Sequence, residues 1–385
     1  MRVLHTIPSI DPFKGGPTTC TLDLLNAINQ LGSSVDLATF EITHPQAFKP
    51  ANWMKTLRND SLSPLGYSAN LKRFLNATSY DLYHTNGLWM YCNHITCKHA
   101  RQIHRPYIIT THGMLYPTAL ERSHWKKWVL LKGWFNKDIQ YATCIHATCY
   151  AEMEYIRQFG YKGPIAVIPN AVVIPEGVRL KAENYRDEKG RRQIGFLGRL
   201  HPIKKVEKVL YALSLLKNEG VKISELLSFQ IMGRYDADYE QWLKKEITRL
   251  QLTDCVEFTG PVSGREKYER LSKLSALLVP SEQENFGMIV PEALICGTPV
   301  YASLGTPWNE LNDYDAGWWR DNEPDTIASI INEILSLSDE QLLTKGSNGR
   351  DLIEKKYEQH IVAGMMIRLY EWIINNGVKP EFVYE

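Results

Sequence analysis

At 385 residues, 44% hydrophobic and 23% charged, the chain is too long for one ordinary core and too apolar for disorder, so two globular domains are expected. Met1-Arg2 is followed by VLHTIPSI rather than by the continuous apolar region of a signal peptide, and no run of about 18 apolar residues is present to span a bilayer. A cytoplasmic protein is therefore expected. The net charge of +1 conceals an asymmetry: through Asn170 there are 17 Lys and Arg against 10 Asp and Glu, and in the remainder 27 against 33. Nine of the eleven histidines also fall in the first part, which suits it to anions or to a negatively charged surface.

In chain order, short runs rich in Val, Ile and Leu each end in a turn signal and lead into a helical pattern. The first half holds RVLHTI, VDLATF, DLYHTNG, YIITTHG, CIHAT and IAVIPN; the second holds QIGFLGR, FQIMGR, VEFTGP, ALLVPSE and PVYAS. This alternation is the mark of mostly parallel sheets in α/β units, so two Rossmann-like doubly wound domains are expected. The polar stretch 171–192 reads as the linker between domains at 1–170 and 193–361. HIVAGMMIRLYEWII, residues 360–374, reads as an amphipathic helix that packs on either domain, with the segment at about 362–385 a candidate to complete the first.

Gly15, Gly16, Gly87, Gly113, Gly198, Gly233, Gly260 and Gly287 all follow expected strand ends, the edge at which open α/β sheets bind ligands. Two such edges facing each other would enclose a central cleft. Taken singly, each glycine is equally well explained as a turn.

SEQENFGMIVPEALICGTPV, Ser281 to Val300, places Glu284 in the loop after a buried strand and Glu292 inside a short helix. Carboxylates accept hydrogen bonds from hydroxyls, and the amides of Phe286, Gly287 and Met288 can donate to phosphate oxygens. A ligand with hydroxyls at both ends and a diphosphate between them, a nucleotide sugar, would satisfy the set. Arg199 and Lys204, in GRLHPIKK, would neutralise the diphosphate. In isolation Glu284 reads as solvated, Glu292 as a carboxylate on a helix dipole, and Arg199 with Lys204 as two solvated surface cations.

Together with IPNAV, THG and the early GG, these motifs resemble the retaining glycosyltransferase family four, of the two-domain GT-B fold, along essentially the whole chain. THGMLYPTAL, CIHATCYAEMEYI and GTPWNEL with AGWW are similar to members that build bacterial surface polysaccharides such as O-antigen, capsule or exopolysaccharide. The resemblance implies that Glu284, with Asn285, Phe286, Gly287 and Met288, meets the donor sugar and phosphates, and that Glu292 holds the ribose. It implies that Arg199 and Lys204 hold the diphosphate, that Gly15 and Gly16 close over the donor, and that His112 orients the sugar. Gly233, Gly260 and Val262 would lie around the base. Lys205 and Ala171 stand where the family often has glycine, which puts the loop shapes in question.

The reaction so implied is metal-independent, with retention by front-face substitution. A UDP- or GDP-linked hexose would pass to a glycan acceptor, lipid-linked in the surface-polysaccharide reading, with no cofactor and no nucleic-acid partner. A nucleotide-sugar epimerase and a non-catalytic nucleotide-sugar-binding subunit are the alternatives. Glu121 to Lys137 interleaves Trp125, Trp128 and Trp134 with Lys126, Lys127, Lys132 and Lys137. That pattern fits peripheral contact with the cytoplasmic face of the inner membrane and, equally, an ordinary amphipathic helix on the acceptor side. Cys92, His94, Cys97, His99, Cys144 and His146 have no spacing of a closed metal site. The seven cysteines, Cys20 and Cys255 and Cys296 among them, read as reduced and mostly buried thiols.

Overall fold

The run Val3-Leu4-His5-Thr6 is buried at every position and has no face to give to solvent, as in strands covered by helices on both sides. The computed structural model describes residues 1–11, 16–40, 51–58, 65–121, 124–181, 183, 186–233 and 237–385. Two compact units result, Met1–Val173 with Tyr357–Glu385, and Ile174–Lys356.

The first unit holds β1 (Arg2–Thr6), β2 (Ser34–Phe40), β3 (Met54–Leu57), β4 (Leu82–Asn86), β5 (Tyr107–Thr110), β6 (Cys144–Ala147) and β7 (Ile165–Val167). The second holds β8 (Arg192–Leu197), β9 (Leu227–Met232), β10 (Val256–Gly260), β11 (Ala276–Val279), β12 (Val300–Ser303) and β13 (Gly317–Arg320), and β14 (Val383–Tyr384) returns to the first. Their orders are β14-β7-β6-β5-β4-β1-β2-β3 and β10-β9-β8-β11-β12-β13. Every pairing is parallel except β14 on β7. Each sheet grows one way from its first strand and then reverses, leaving a switch point between β1 and β4 and another between β8 and β11. These are two Rossmann-like domains, as in the GT-B fold.

All the strands expected from sequence form, and β3, β13 and β14 are additional. Each of the three is a sheet edge of four residues or fewer, too short to show a period of its own. The stretch expected as a linker does not behave as a free connector. From Ile174 it belongs to the second unit, where Lys181 Nζ donates to the Leu274 carbonyl at 2.6 Å, and β8 already starts at Arg192. The chain returns to the first unit at Tyr357, whose carbonyl accepts from Val172 N at 2.8 Å.

The helix Gln359–Asn375 packs in the first unit. Its Val362, Ala363, Met366 and Leu369 share a core with Leu24, Leu25 and Ile28 of the helix Gly16–Gln30. Each fully buried Val, Leu, Ile or Met side chain among them contributes about 1.5–3 kcal/mol. All seven cysteines are free and buried, and burial pushes the thiols of Cys92, Cys144 and Cys296 up to about 12.

Candidate active site

Two loops meet at the switch point of the second unit. The one leaving β8 carries Gly198 and Arg199, forms a single 3-10 turn over Pro202–Lys204, and enters the helix Val206–Asn218. His201 caps that turn by accepting from Ile203 N at 3.2 Å. Lys205, between turn and helix, has φ +52, the left-handed region that favours glycine, so the family's frequent glycine there has a backbone reason. The loop leaving β11 is tied to the first by Glu282 N donating to the Ile203 carbonyl at 2.8 Å, and by Lys205 Nζ to Glu282 at 2.8 Å.

That join brings Lys204 to Glu284. Lys204 Nζ pairs with Glu284 Oε1, and Ser281 Oγ donates to the same oxygen at 2.8 Å. Glu284 N is fixed by the Gly305 carbonyl at 2.9 Å. A Cβ at Gly305 would stand 2.1 Å from the Glu282 carbonyl oxygen, so the loop after β12 can lie this close only because residue 305 is glycine. Arg199 is exposed and, among the described residues, has no carboxylate partner. One cation of the expected pair is therefore engaged, and the other is available to an anion.

Beyond Glu284, Asn285 and Met288 are half-buried and Phe286 is buried edge-on against Trp308 at 5.2 Å, with the Trp308 indole N–H on the Phe286 carbonyl at 2.6 Å. Gly287 has φ +76, the left-handed corner that turns the chain into the helix Ile289–Leu294. Glu292, in the first turn of that helix, does not join Glu284's partners. Its Oε1 pairs with Lys267 Nζ at 2.7 Å, from the helix Gly264–Lys273, and Lys267 also lies 4.7 Å over the Tyr268 ring. Burial raises the Glu292 carboxyl above the ordinary range, and the Lys267 ammonium pulls the other way.

Gly198, Gly233 and Gly260 stand abreast at the carboxyl ends of β8, β9 and β10: Gly198 N donates to the Met232 carbonyl at 3.1 Å and Gly233 N to the Gly260 carbonyl at 2.8 Å. Gly233 has φ +137, and a Cβ there would lie 1.8 Å from the Gly198 carbonyl oxygen. Backbone approach alone is a sufficient reason for this glycine. Val262, half-buried, follows in the loop before the helix Gly264–Lys273.

In the first unit Gly15 lies outside the described residues. Gly16 opens the helix Gly16–Gln30, is exposed, and among the described residues has open space around a notional Cβ. His112 sits just past β5 with φ +48, its Nε2 buried and without a hydrogen-bond partner among the described residues. Burial, with repulsion from His146, lowers its imidazolium pKa to about 3, so the ring is neutral near pH 7. Beside it runs a buried polar chain. His146 Nε2 meets the Ile168 carbonyl at 2.7 Å and its Nδ1 meets Thr110 Oγ1 at 2.8 Å. Thr110 meets His84 at 2.7 Å, and the Tyr370 hydroxyl joins His84 at 3.0 Å to His5 at 2.7 Å. His146 is thus engaged in this chain, and His94 is held by Asp138 at 2.7 Å.

The stretch 124–137 forms a helix His124–Leu130, a π-helical turn Leu131–Phe135 and the start of the helix Asn136–Gln140. Phe135 and Ile139 point into the core, while Trp125 and Trp128 are 68% and 51% exposed. Lys132 Nζ stands 4.1 Å over the Trp128 ring, which keeps cation and aromatic on one surface.

Sequence reading missed Ser281 as a partner of Glu284 and Lys267 as the partner of Glu292. Ser281 lies within the quoted motif, so its three-residue spacing was a usable signal. Lys267 is on another helix and had none.

Residues 14–174 match the family model described as Glycosyltransferase Family 4, and residues 179–351 match that of Glycosyl transferases group 1. The chain belongs to glycosyltransferase family four. A D-inositol 3-phosphate glycosyltransferase of Stackebrandtia nassauensis is 32% identical over 113 residues, 29% of this chain and 26% of that protein. The GDP-mannose-dependent alpha-(1-6)-phosphatidylinositol dimannoside mannosyltransferase of Mycobacterium tuberculosis is 29% identical over 178 residues, 43% and 44% of the two chains. The aligned stretch thus spans about a quarter to under half the length of these curated relatives. Among solved structures, Anabaena Alr3699/HepE in complex with UDP and glucose superposes with a TM-score of 0.74 at 19% identity, over 96% of this chain and 99% of that one, a likeness of fold.

Proposed function

We propose that the protein is a retaining hexosyltransferase that takes its sugar from a UDP- or GDP-linked donor. The observation that carries the reading is the junction at the second unit's switch point, where Lys204, Glu284 and Ser281 converge, with the exposed Arg199 on the same loop as Lys204. This edge is where open α/β sheets hold ligands. Glu284 there is an acceptor for sugar hydroxyls, and Lys204 with Arg199 would stabilise the charge that gathers on the departing diphosphate. Glu292 and Lys267 form the proposed ribose grip. His112 and Gly16, in the first unit, keep the donor-facing roles that the family resemblance gives them.

In the proposed reaction the acceptor hydroxyl approaches the anomeric carbon on the face from which the diphosphate leaves. The carbon–oxygen bond to phosphate breaks as the new glycosidic bond forms, and the hydroxyl proton passes to a phosphate oxygen. No side chain need be a nucleophile, and transfer should survive chelation by EDTA. The acceptor we propose is a glycan on a lipid carrier, in bacterial surface-polysaccharide assembly, with Trp125, Trp128 and the neighbouring lysines resting on the anionic membrane face. The relatives named above act, by their names, on D-inositol 3-phosphate and on a phosphatidylinositol dimannoside.

Thermal-shift measurements with UDP-glucose, UDP-N-acetylglucosamine and GDP-mannose test the donor, since a ligand of the native state raises Tm by mass action. Incubation with that donor alone separates transfer from epimerisation, which would release a changed sugar without an acceptor. Full transfer by Glu284→Ala would overturn the reading.

A further inference from the structure

We infer that Glu152 is a positioning residue for His112, an inference that rests on the proposed sugar-side role of that histidine. Glu152 is 1% exposed, in the first turn of the helix Tyr150–Gln158, and among the described residues no lysine or arginine pairs with it. Its charge is held instead by four donors from two neighbouring strand exits. Oε1 accepts from Thr111 Oγ1 at 2.6 Å and from Gly113 N, the two residues that flank His112. Oε2 accepts from Thr148 N at 2.7 Å and Thr148 Oγ1 at 2.8 Å, at the exit of β6.

A carboxylate is the side chain that can accept at both oxygens at once, and burying one without such partners is strongly unfavourable. The turn it grips is otherwise an unfavourable one. His112 and Gly113 have φ +48 and +74 in succession, and a histidine in the left-handed region needs its surroundings to hold it there. Held so, the ring has a buried Nε2 with no partner among the described residues, which suits the proposed sugar-side role. Glutamine at 152 has one acceptor oxygen, so it would satisfy one strand exit and turn an amide N–H toward the donors of the other.

The test compares Glu152→Gln and Thr111→Val on the wild-type and His112→Ala backgrounds, assaying whichever of UDP-glucose and GDP-mannose the protein turns over. Glu152→Gln is expected to lower kcat about 10–100-fold with donor KM changed less than about threefold, and to cost less than about twofold on the His112→Ala background. Thr111→Val, which removes one donor at nearly constant volume, covers the case in which Glu152→Gln does not fold, and should show the same pattern more weakly. In ligand-free protein carrying 13C-histidine, the His112 ring signal, identified by its loss in His112→Ala, should move in both variants. Equal losses on the two backgrounds, or an unmoved ring signal, would overturn the inference. Full activity of His112→Ala would instead sink the sugar-side role of His112 itself.

Discussion

Lys204 Nζ rests on Glu284 Oε1, an ion pair between residues 80 apart in sequence at the second unit's switch point. In the proposed reaction a diphosphate entering here would compete with the carboxylate for that ammonium. Lys204→Ala and Glu284→Gln are each expected to lower transfer about 10²–10³-fold, the scale of losing one preorganised charge contact. Ser281 can still meet a glutamine at 284, so melting of Glu284→Gln should shift by only a few degrees. Steady-state kinetics beside a melting curve check this. A large fall in Tm would assign the pair to stability.

Glu292 and Lys267 give a pH signature. Burial raises the Glu292 carboxyl and Lys267 opposes that rise. In Lys267→Met the carboxyl should therefore titrate higher still. If the carboxylate form grips the ribose, UDP affinity should fall more steeply from pH 8 to pH 6 in the variant than in the wild type. Isothermal titration at both pH values measures it, and parallel profiles would remove Glu292 from the ribose.

Two glycines separate packing from ligand work. Gly233→Ala would push a methyl onto the Gly198 carbonyl and should cost more than about 2 kcal/mol in denaturant unfolding. Gly16→Ala meets open space among the described residues, so its stability should be unchanged while donor affinity drops. An unaltered affinity in Gly16→Ala would leave that residue with no donor role.

The buried histidines should make the first unit acid-sensitive. His5 and His112 are lowered to about 3, first by burial and then by His146, and burial also lowers His84 and His146. Folded-state values below the ordinary 6.5 mean that the unfolded chain binds more protons in acid. For His5 and His112 this stability is complete above about pH 6.5 and is lost as pH falls toward 3, by about 1.4 kcal/mol per pH unit for each of the two. Calorimetric unfolding at pH 5.5 in two buffers of different ionisation enthalpy should show uptake of about one proton each for His5 and His112. No uptake would mean that these rings are already charged in the fold.

The tryptophan surface predicts lipid selectivity. Binding to vesicles containing phosphatidylglycerol should exceed binding to neutral vesicles and weaken with salt. The double substitution Trp125→Ser and Trp128→Ser should reduce it about tenfold or more without changing melting, because both side chains are exposed. Co-sedimentation gives the comparison, and equal binding by the variant would assign the surface elsewhere.

The sequence by itself determined the two parallel sheets, because a strand covered on both faces must be apolar throughout and each run is closed by its own turn. It also determined which loops carry Glu284, Arg199, Lys204 and His112, since strand exit and motif are local in the chain. Edge strands β3, β13 and β14 were too short to show a pattern of their own. Tertiary structure alone decided that Lys204 meets Glu284 while Lys267 meets Glu292, and that Gly233 is glycine for the sake of the Gly198 carbonyl. It placed the C-terminal helix, and with it Tyr370, against His5 and His84 in the first unit. The reason is physical: a side chain's partner is set by which strands pair and where their exits fall, and that is a property of chain segments tens to hundreds of residues apart.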